Sequence, residues 1–378
     1  MKIFNAFVVS LLLLLDLPGG LNVSPRGQVV PTTEPVSGSV VCEPGVYAVA
    51  PDTCLPLGPS QYITRAAQEG IPFPALPLPA YPPDSALADI PFQYFKLAQE
   101  EAVFYVFSSL EEAESSSVSG QAVGPGDVFV SYVNRVENEN GIFYQLRSGA
   151  WVRSDFGARF ALHRKFQGLL FSSSPRYPFG WVLGQVQSVQ APSYNAQNTG
   201  RTYNRYEIVQ VYAVQESEGN TWLMIAANEW MDYHQVARVI PRTSRPDDMP
   251  AGRWIEINLD EQTLAVYEDD QLKFATVISS GTGAWATRPG LFQIYEKFDV
   301  ETMSGFTEAD RSDYYYLEDV PWTMYFDEKR ALHGAYWHDS FGYQRSHGCV
   351  NLSLGDAHWI FDWAQNGEYV YVYGQPSP

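Results

Sequence analysis

The chain has 378 residues, room for two to four domains, and is 45% hydrophobic and 15% aromatic, enough to fill real cores. Its formal net charge is −19, and residues 253–378 hold 20 acidic against 8 basic side chains. That balance argues against nucleic acid and against anionic membranes as partners.

The N-terminus carries Met1-Lys2, an apolar run Phe7–Leu15 and then Asp16-Leu17-Pro18-Gly19-Gly20. This is the pattern of a secretory signal peptide over residues 1–20. An uncleaved anchor is the competing reading, opposed by Asp16, by Pro18 and by the shortness of the run. No cysteine directly follows the run, which argues against lipoprotein processing. No other segment approaches transmembrane length, so no stable membrane span is expected after cleavage.

Residues 21–100 read as an extended spacer. Fifteen of the 26 prolines lie between Pro18 and Pro91, and Ile71-Pro72-Phe73-Pro74-Ala75-Leu76-Pro77-Leu78-Pro79 favours polyproline II. In an exported protein, Cys42 and Cys54 form a plausible disulfide within this spacer. Cys349 is then the odd thiol.

Residues 101–165 and 175–241 look like an internal repeat. Trp151 precedes Arg159 by the same interval as Trp230 precedes Arg238. Alternating stretches at Asp127–Val133 and Glu207–Val214, separated by turn formers such as Glu139-Asn140-Gly141 and Glu218-Gly219-Asn220, predict small β-domains. The two blocks resemble bacterial SH3-like barrels. The plainer reading of their tryptophans is that they fill the barrel cores, and a wall-binding role comes only from the company the blocks keep.

From Arg253 the pattern becomes a β-meander: Trp254–Leu259, a turn at Asp260-Glu261-Gln262, Thr263–Tyr267, a turn at Asp269-Asp270, then Leu272–Ser279. Ser353 is placed to cap a helix with Asp356 as capping-box partner. Ala357, Ile360, Phe361 and Ala364 mark its buried face, and Asn366-Gly367 ends it. Glu368–Tyr373 is a last strand. The fold class expected for the chain is mainly β: two small SH3-like barrels, then a mostly-β catalytic domain over 253–374 with one short helix.

The chemistry concentrates in Arg345-Ser346-His347-Gly348-Cys349-Val350-Asn351, with His333-Gly334 upstream. A thiolate is a far stronger nucleophile than a thiol, and a nearby imidazole is the usual way to generate one. His347 and His333 both qualify as base. At two residues' spacing in an extended chain, the His347 and Cys349 side chains run roughly parallel, whereas His333 on a preceding strand can approach the sulfur head-on. A buried structural cysteine is the plainer alternative. No His-x-x-x-His or Cys-x-x-Cys spacing supports zinc, so no metal or other cofactor is expected, and His338 is a weak candidate ligand. Asp339 as a third triad member has little support.

The same residues resemble the signature of L,D-transpeptidases with the YkuD-type catalytic domain. Ser280-Gly281-Thr282-Gly283, Thr287-Arg288-Pro289-Gly290-Leu291-Phe292-Gln293-Ile294 and Met324-Tyr325-Phe326 before Ala331-Leu332-His333-Gly334 resemble the family's flanking segments. Arg288 before Pro289 departs from the family's more frequent Thr-Pro, in a loop.

The resemblance implies Cys349 as nucleophile, His333 as base, Gly334 orienting it through its carbonyl, and His347 shaping the loop. Gly348 permits a sharp turn, and the Gly348 and Cys349 N–H groups are candidate oxyanion donors. Tyr325 is implied to line the pocket, with a core aromatic as the equal alternative; Trp337-His338-Asp339, close after the base, reads as a lid edge. Arg345 is a candidate for a substrate carboxylate, or else a solvated arginine. Ser346 and Asn351 are candidate substrate-side polar groups, read first as fixing the loop by side-chain hydrogen bonds and only second as touching substrate.

The resemblance further implies a bacterial, extracytoplasmic enzyme, secreted or wall-associated, acting on peptidoglycan stem peptides. A tetrapeptide stem would acylate Cys349 with loss of D-alanine, and an amine would take the thioester to give a 3–3 cross-link. Water as acceptor would make an L,D-carboxypeptidase, and a wall-anchored protein could be the acceptor instead. A non-catalytic wall-binding protein is the reading of another class.

Overall fold

The computed structural model describes residues 77–96, 104–115, 120–123, 127–153, 159–160, 166–247, 249–306 and 314–375. The signal-peptide pattern, most of the spacer, Cys42 and Cys54 lie outside the described residues.

The expected meander is present. Arg253–Asn258, Thr263–Glu268 and Gln271–Val277 run antiparallel in register. The two turns follow from local chemistry. Asn258 Oδ1 accepts the N–H groups of Asp260 and Glu261 at 3.1 and 3.2 Å, an Asx turn. Asp269 and Asp270 take left-handed φ values of 48° and 63°, which aspartate tolerates better than branched residues do.

This meander is the centre of a seven-stranded sheet. On one side it continues through Tyr369–Tyr373, parallel to Arg253–Asn258, to Gly290–Gln293. On the other side Gln271–Val277 pairs with Leu169–Phe171, which pairs with Ala80–Tyr81. Residues 77–96, inside the segment read as a spacer, therefore contribute strands. Their prolines lie at strand ends and loops, where no ladder N–H is required.

A second, eleven-stranded sheet carries Val350–Leu352, Arg330–Gly334, the hairpin Glu296–Gly305 with Tyr315–Asp327, and the strands of the first upstream unit. Tyr315–Leu317 pairs in parallel with Asp127–Phe129, so the hairpin and that unit share one ladder. The main core fills the space between the sheets. Ile257, Val266, Phe274, Met324, Leu332, Val350 and Ile360 all belong to it, packed under the helix Leu354–Trp363.

The helix starts where expected: Ser353 Oγ accepts the Asp356 N–H at 3.3 Å. The Asp356 carboxylate is drawn elsewhere. It accepts the Gly168 N–H at 2.8 Å and the Thr276 hydroxyl at 2.6 Å, tying the helix start to the first sheet. Gly367 has φ 95° and donates to Ile294 O after the helix ends.

The second upstream unit has its own antiparallel sheets. One is Phe179–Val182 between Ile208–Gln210 and Val236–Val239; the other has five strands from Val186 to Asp232. Trp151, Trp222 and Trp230 are buried in small clusters with Phe143, Met224 and their neighbours. The tryptophans of the repeat are core residues. Arg238 of this unit reaches into the catalytic region and clasps Glu261.

Candidate active site

Arg330–Gly334 and Val350–Leu352 run parallel, with Leu332 opposite Val350, His333 opposite Asn351 and Gly334 opposite Leu352. Cys349 immediately precedes the second strand. It stands two residues before Asn351, the residue opposite His333. Sequence spacing of 16 residues thus closes into adjacent strand positions.

His333 is buried, 2% exposed, and its Nδ1 lies 3.3 Å from the Gly334 carbonyl. Donation from Nδ1–H to that oxygen leaves Nε2 as the ring's lone-pair nitrogen. The Trp337 ring sits 5.5 Å from the imidazole. Burial pushes the His333 pKa down to about 4, against the opposing pull of the Gly334 bond.

Cys349 is partly exposed as a residue, but its sulfur sits in a desolvated pocket. It lies 3.9 Å from the Lys329 carbonyl and is hydrogen-bonded to the Ala331 backbone. Burial pushes the thiol up to about 11; the Glu301 carboxylate adds to this, while the Ala331 bond and the Arg330 guanidinium oppose it. Thiol and imidazole are both neutral at rest. Arg330 Nε and Glu301 Oε2 are buried without a hydrogen-bond partner among the described residues.

The loop before Cys349 is fixed from both sides. Ser346 N–H and Arg345 N–H donate to Ser280 O at 3.0 and 2.9 Å, and Thr282 N–H donates to Ser346 O at 3.1 Å. The buried Thr287 hydroxyl accepts from Gly281 N–H and donates to Gly348 O, both at 2.9 Å. Gly348 has φ +112°, a region that favours glycine.

Ser346 Oγ accepts the Gly348 N–H at 3.1 Å and donates to Cys349 O. Both its roles are taken inside the loop, so it holds the loop's shape. The Gly348 N–H is thereby engaged and is not a ready oxyanion donor, unlike the sequence expectation.

His347 is exposed, stacked at 4.8 Å on Tyr315 of the hairpin and edge-on to Trp285 at 5.8 Å. It touches the outside of the site. Tyr325, half-buried, stacks on Tyr295 and feels both Glu301 and Cys349; burial first, then Glu301, raises its pKa and keeps it protonated. Arg345 is exposed. Asn351 is buried with Nδ2 2.7 Å from His338 Nε2. Asp339 is paired with Arg205, its Oδ2 3.9 Å from Nη1.

The structure gathers His333, Gly334, Asn351 and Trp337, sets Tyr325 near Cys349 just ahead of the neighbouring strand, and puts Arg345 on the exterior. Sequence reasoning assigned no role to Thr287, Glu301 or Arg330. Thr287 stood in a quoted segment, but nothing local marks a threonine whose two partners are 6 and 61 residues away. It also missed the pairing of His338 with Asn351.

The region is mostly β, with an imidazole on one parallel strand and a thiol just ahead of its neighbour. Residues 252–372 match the family model YkuD, the L,D-transpeptidase catalytic domain. That stretch of the chain, less than half of it, is an L,D-transpeptidase catalytic domain. No curated protein matches the chain.

Among solved structures, an Enterococcus faecium L,D-transpeptidase variant is similar at 24% identity and TM-score 0.30, covering 32% of this chain and 50% of that one. An L,D-transpeptidase from Stackebrandtia nassauensis has 27% identity and TM-score 0.27, covering 35% and 61%. One from Mycobacterium smegmatis has 21% identity and TM-score 0.31, covering 42% and 80%. The chain spans 50% of the length of the first of these.

Proposed function

We propose that the chain is an exported peptidoglycan L,D-transpeptidase with Cys349 as nucleophile and His333 as its base. The observation that carries this reading is the register of the two parallel strands: it sets His333 opposite Asn351, two residues after Cys349, and supports an approach of the thiol to the Nε2 lone pair. Neither group is charged at rest, so proton transfer accompanies attack.

The Cys349 sulfur attacks the acyl carbonyl of a tetrapeptide stem as its proton passes to His333 Nε2. The Sγ–C bond forms, the C–N bond to D-alanine breaks, and the imidazolium returns the proton to the leaving amine. An amine of a second stem then attacks the thioester, giving a 3–3 cross-link and the free thiol. With the Gly348 N–H engaged by Ser346, the Cys349 N–H is the backbone donor for the oxyanion. Glu301 Oε2 and Arg330 Nε have no hydrogen-bond partner among the described residues, and a stem peptide bearing both an ammonium and a carboxylate would satisfy them. The two upstream units are read as SH3-like modules that place the catalytic domain in the wall, and Gly334 and His347 take the orienting and loop-shaping roles.

The test is mass spectrometry of the full chain incubated with a disaccharide-tetrapeptide, beside Cys349→Ala. A dimer lighter by one D-alanine, absent with the variant, is expected. Tripeptide product alone would reassign the acceptor to water. An unchanged substrate with retained wall binding would refute the enzyme.

A further inference from the structure

The segment between His333 and the Cys349 loop is held from outside the catalytic domain. Arg205 Nη2 donates to Asp339 O at 2.7 Å, and Tyr206 OH lies 2.9 Å from Asp339 O and 3.3 Å from Phe341 O. Arg205 also donates to the Tyr206 hydroxyl at 2.6 Å, so the two side chains act as one clasp. Tyr206 has φ 66°, a conformation costly for a non-glycine residue and kept only where the surroundings impose it. Its ring packs 4.3 Å from Phe166, and Phe166 lies 6.1 Å from Phe341. The catalytic domain adds ties of its own: Ser279 Oγ donates to Ser340 O and Gly342 N–H to Ile278 O, both at 2.8 Å.

The same segment reaches inward. Ser340 N–H donates to His338 Nδ1 at 3.1 Å. Burial, with Arg345 and His333 nearby, pushes the His338 pKa down to about 3, so the ring is neutral. A neutral imidazole that accepts at Nδ1 carries its proton on Nε2. That Nε2 is 2.7 Å from the Asn351 amide. A donor there requires the amide oxygen to face it, and turning the amide by half a rotation supplies that oxygen. The amide NH2 then takes the position of Oδ1, which is buried and as placed has no hydrogen-bond partner among the described residues. Asn351 stands directly across the strand pair from His333 and two residues from Cys349.

We infer that Arg205 and Tyr206 of the second upstream unit are positioning residues of the acyl-transfer site. By gripping residues 339–341 they seat His338, and His338 turns the Asn351 amide so that its N–H is offered to the substrate's acyl group. This rests on the reading of Cys349 as the acylated nucleophile. It makes the second unit part of the site's framework, in addition to any role toward the wall.

The experiment uses the full chain and a disaccharide-tetrapeptide, following D-alanine release for wild type, Arg205→Met/Tyr206→Phe, Asn351→Ala and the triple variant. Phenylalanine keeps the packing on Phe166. The clasp variant is expected to lose about tenfold in kcat with KM unchanged, the scale of one or two lost hydrogen bonds. In the Asn351→Ala background the clasp substitutions should cost nothing further, because both act through one amide. Additive losses, or a kcat drop matched by a fall in Tm and a rise in KM, would mark a merely structural contact and overturn the inference. An inactive wild type would remove the acyl-transfer reading and this inference with it.

Discussion

Gly281 lies against Gly348 so closely that a methyl carbon on it would stand 2.7 Å from the Gly348 Cα and 2.1 Å from the Trp285 carbonyl. Backbone is on both sides, so neither neighbour can swing away. The approach lets the Thr287 hydroxyl bridge Gly281 N–H and Gly348 O. Gly281→Ala is expected to cost about 3 kcal/mol of stability, the upper range for overpacking, and to displace the Cys349 loop. Gly184 has nothing within 4 Å of a built Cβ, and Gly184→Ala serves as the control. Urea unfolding and acylation rates of the two variants would check this. An active, stable Gly281→Ala would show that the loop yields.

The protonation states predict slow thiol chemistry at neutral pH. With Cys349 pushed up to about 11 and His333 down to about 4, a thiolate–imidazolium pair is scarcely populated in the free enzyme. Alkylation of Cys349 by iodoacetamide should rise tenfold per pH unit from 7 to about 10, with no plateau near neutrality. Arg330→Gln removes a positive charge that favours the thiolate and should slow alkylation at each pH. Rates measured by mass shift of the intact chain would decide, and a plateau between pH 5 and 8 would show a preformed ion pair instead.

What the sequence made legible was local. The Asp260–Gln262 turn, the Ser353 cap and the glycine-framed Cys349 each depend on neighbours a few residues away. The family resemblance, rather than spacing alone, pointed to His333, whose strand pairs with the strand that follows Cys349. Other features depend on partners that no period encodes. Ala80–Tyr81 joins the catalytic sheet through Leu169–Phe171, although its neighbourhood is proline-rich. The Gly348 N–H satisfies Ser346 before any substrate arrives. Arg205 and Tyr206 meet Asp339 across more than 130 residues. The capping box failed for a related reason: Asp356 is fully buried, and the Gly168 N–H and Thr276 hydroxyl anchor its carboxylate there.

That carboxylate gives a pH prediction. Burial pushes Asp356 up to about 6, partly offset by the bonds from Thr276 and Gly168. Its folded-state pKa exceeds the unfolded value, so the folded state binds the proton more tightly. Its contribution is therefore full below about pH 4 and is lost as pH rises through about 6, on the order of 3 kcal/mol. Asp356→Asn keeps hydrogen-bonding capacity without the charge. The stability difference between wild type and Asp356→Asn should shift in favour of the variant from pH 4 to pH 7. Histidine titrations cancel in that difference. Thermal melts at both pH values would test it, and a pH-independent difference would show Asp356 stays ionised or neutral throughout.

The contact of Arg238 with Glu261 sets how firmly the second unit is joined to the catalytic domain. Glu261 is 6% exposed, and both its oxygens are used: Oε2 takes the Arg238 N–H at 2.9 Å, and Oε1 takes Nε and Nη2 at 3.0 and 2.7 Å. Burial raises the Glu261 pKa while Arg238 pulls it down. Replacing the buried pair by apolar residues of similar volume could be nearly neutral, but removing one partner strands the other's charge. Glu261→Ala should therefore cost about 3 kcal/mol, more than Arg245→Ala, which breaks only a half-exposed pair with Asp270. Since the pair joins two units, the loss should also split urea unfolding into two steps, with tryptophan fluorescence reporting the second unit first. A single transition shifted no further than that of Arg245→Ala would show that the apolar contact between the units, not this ion pair, holds them together.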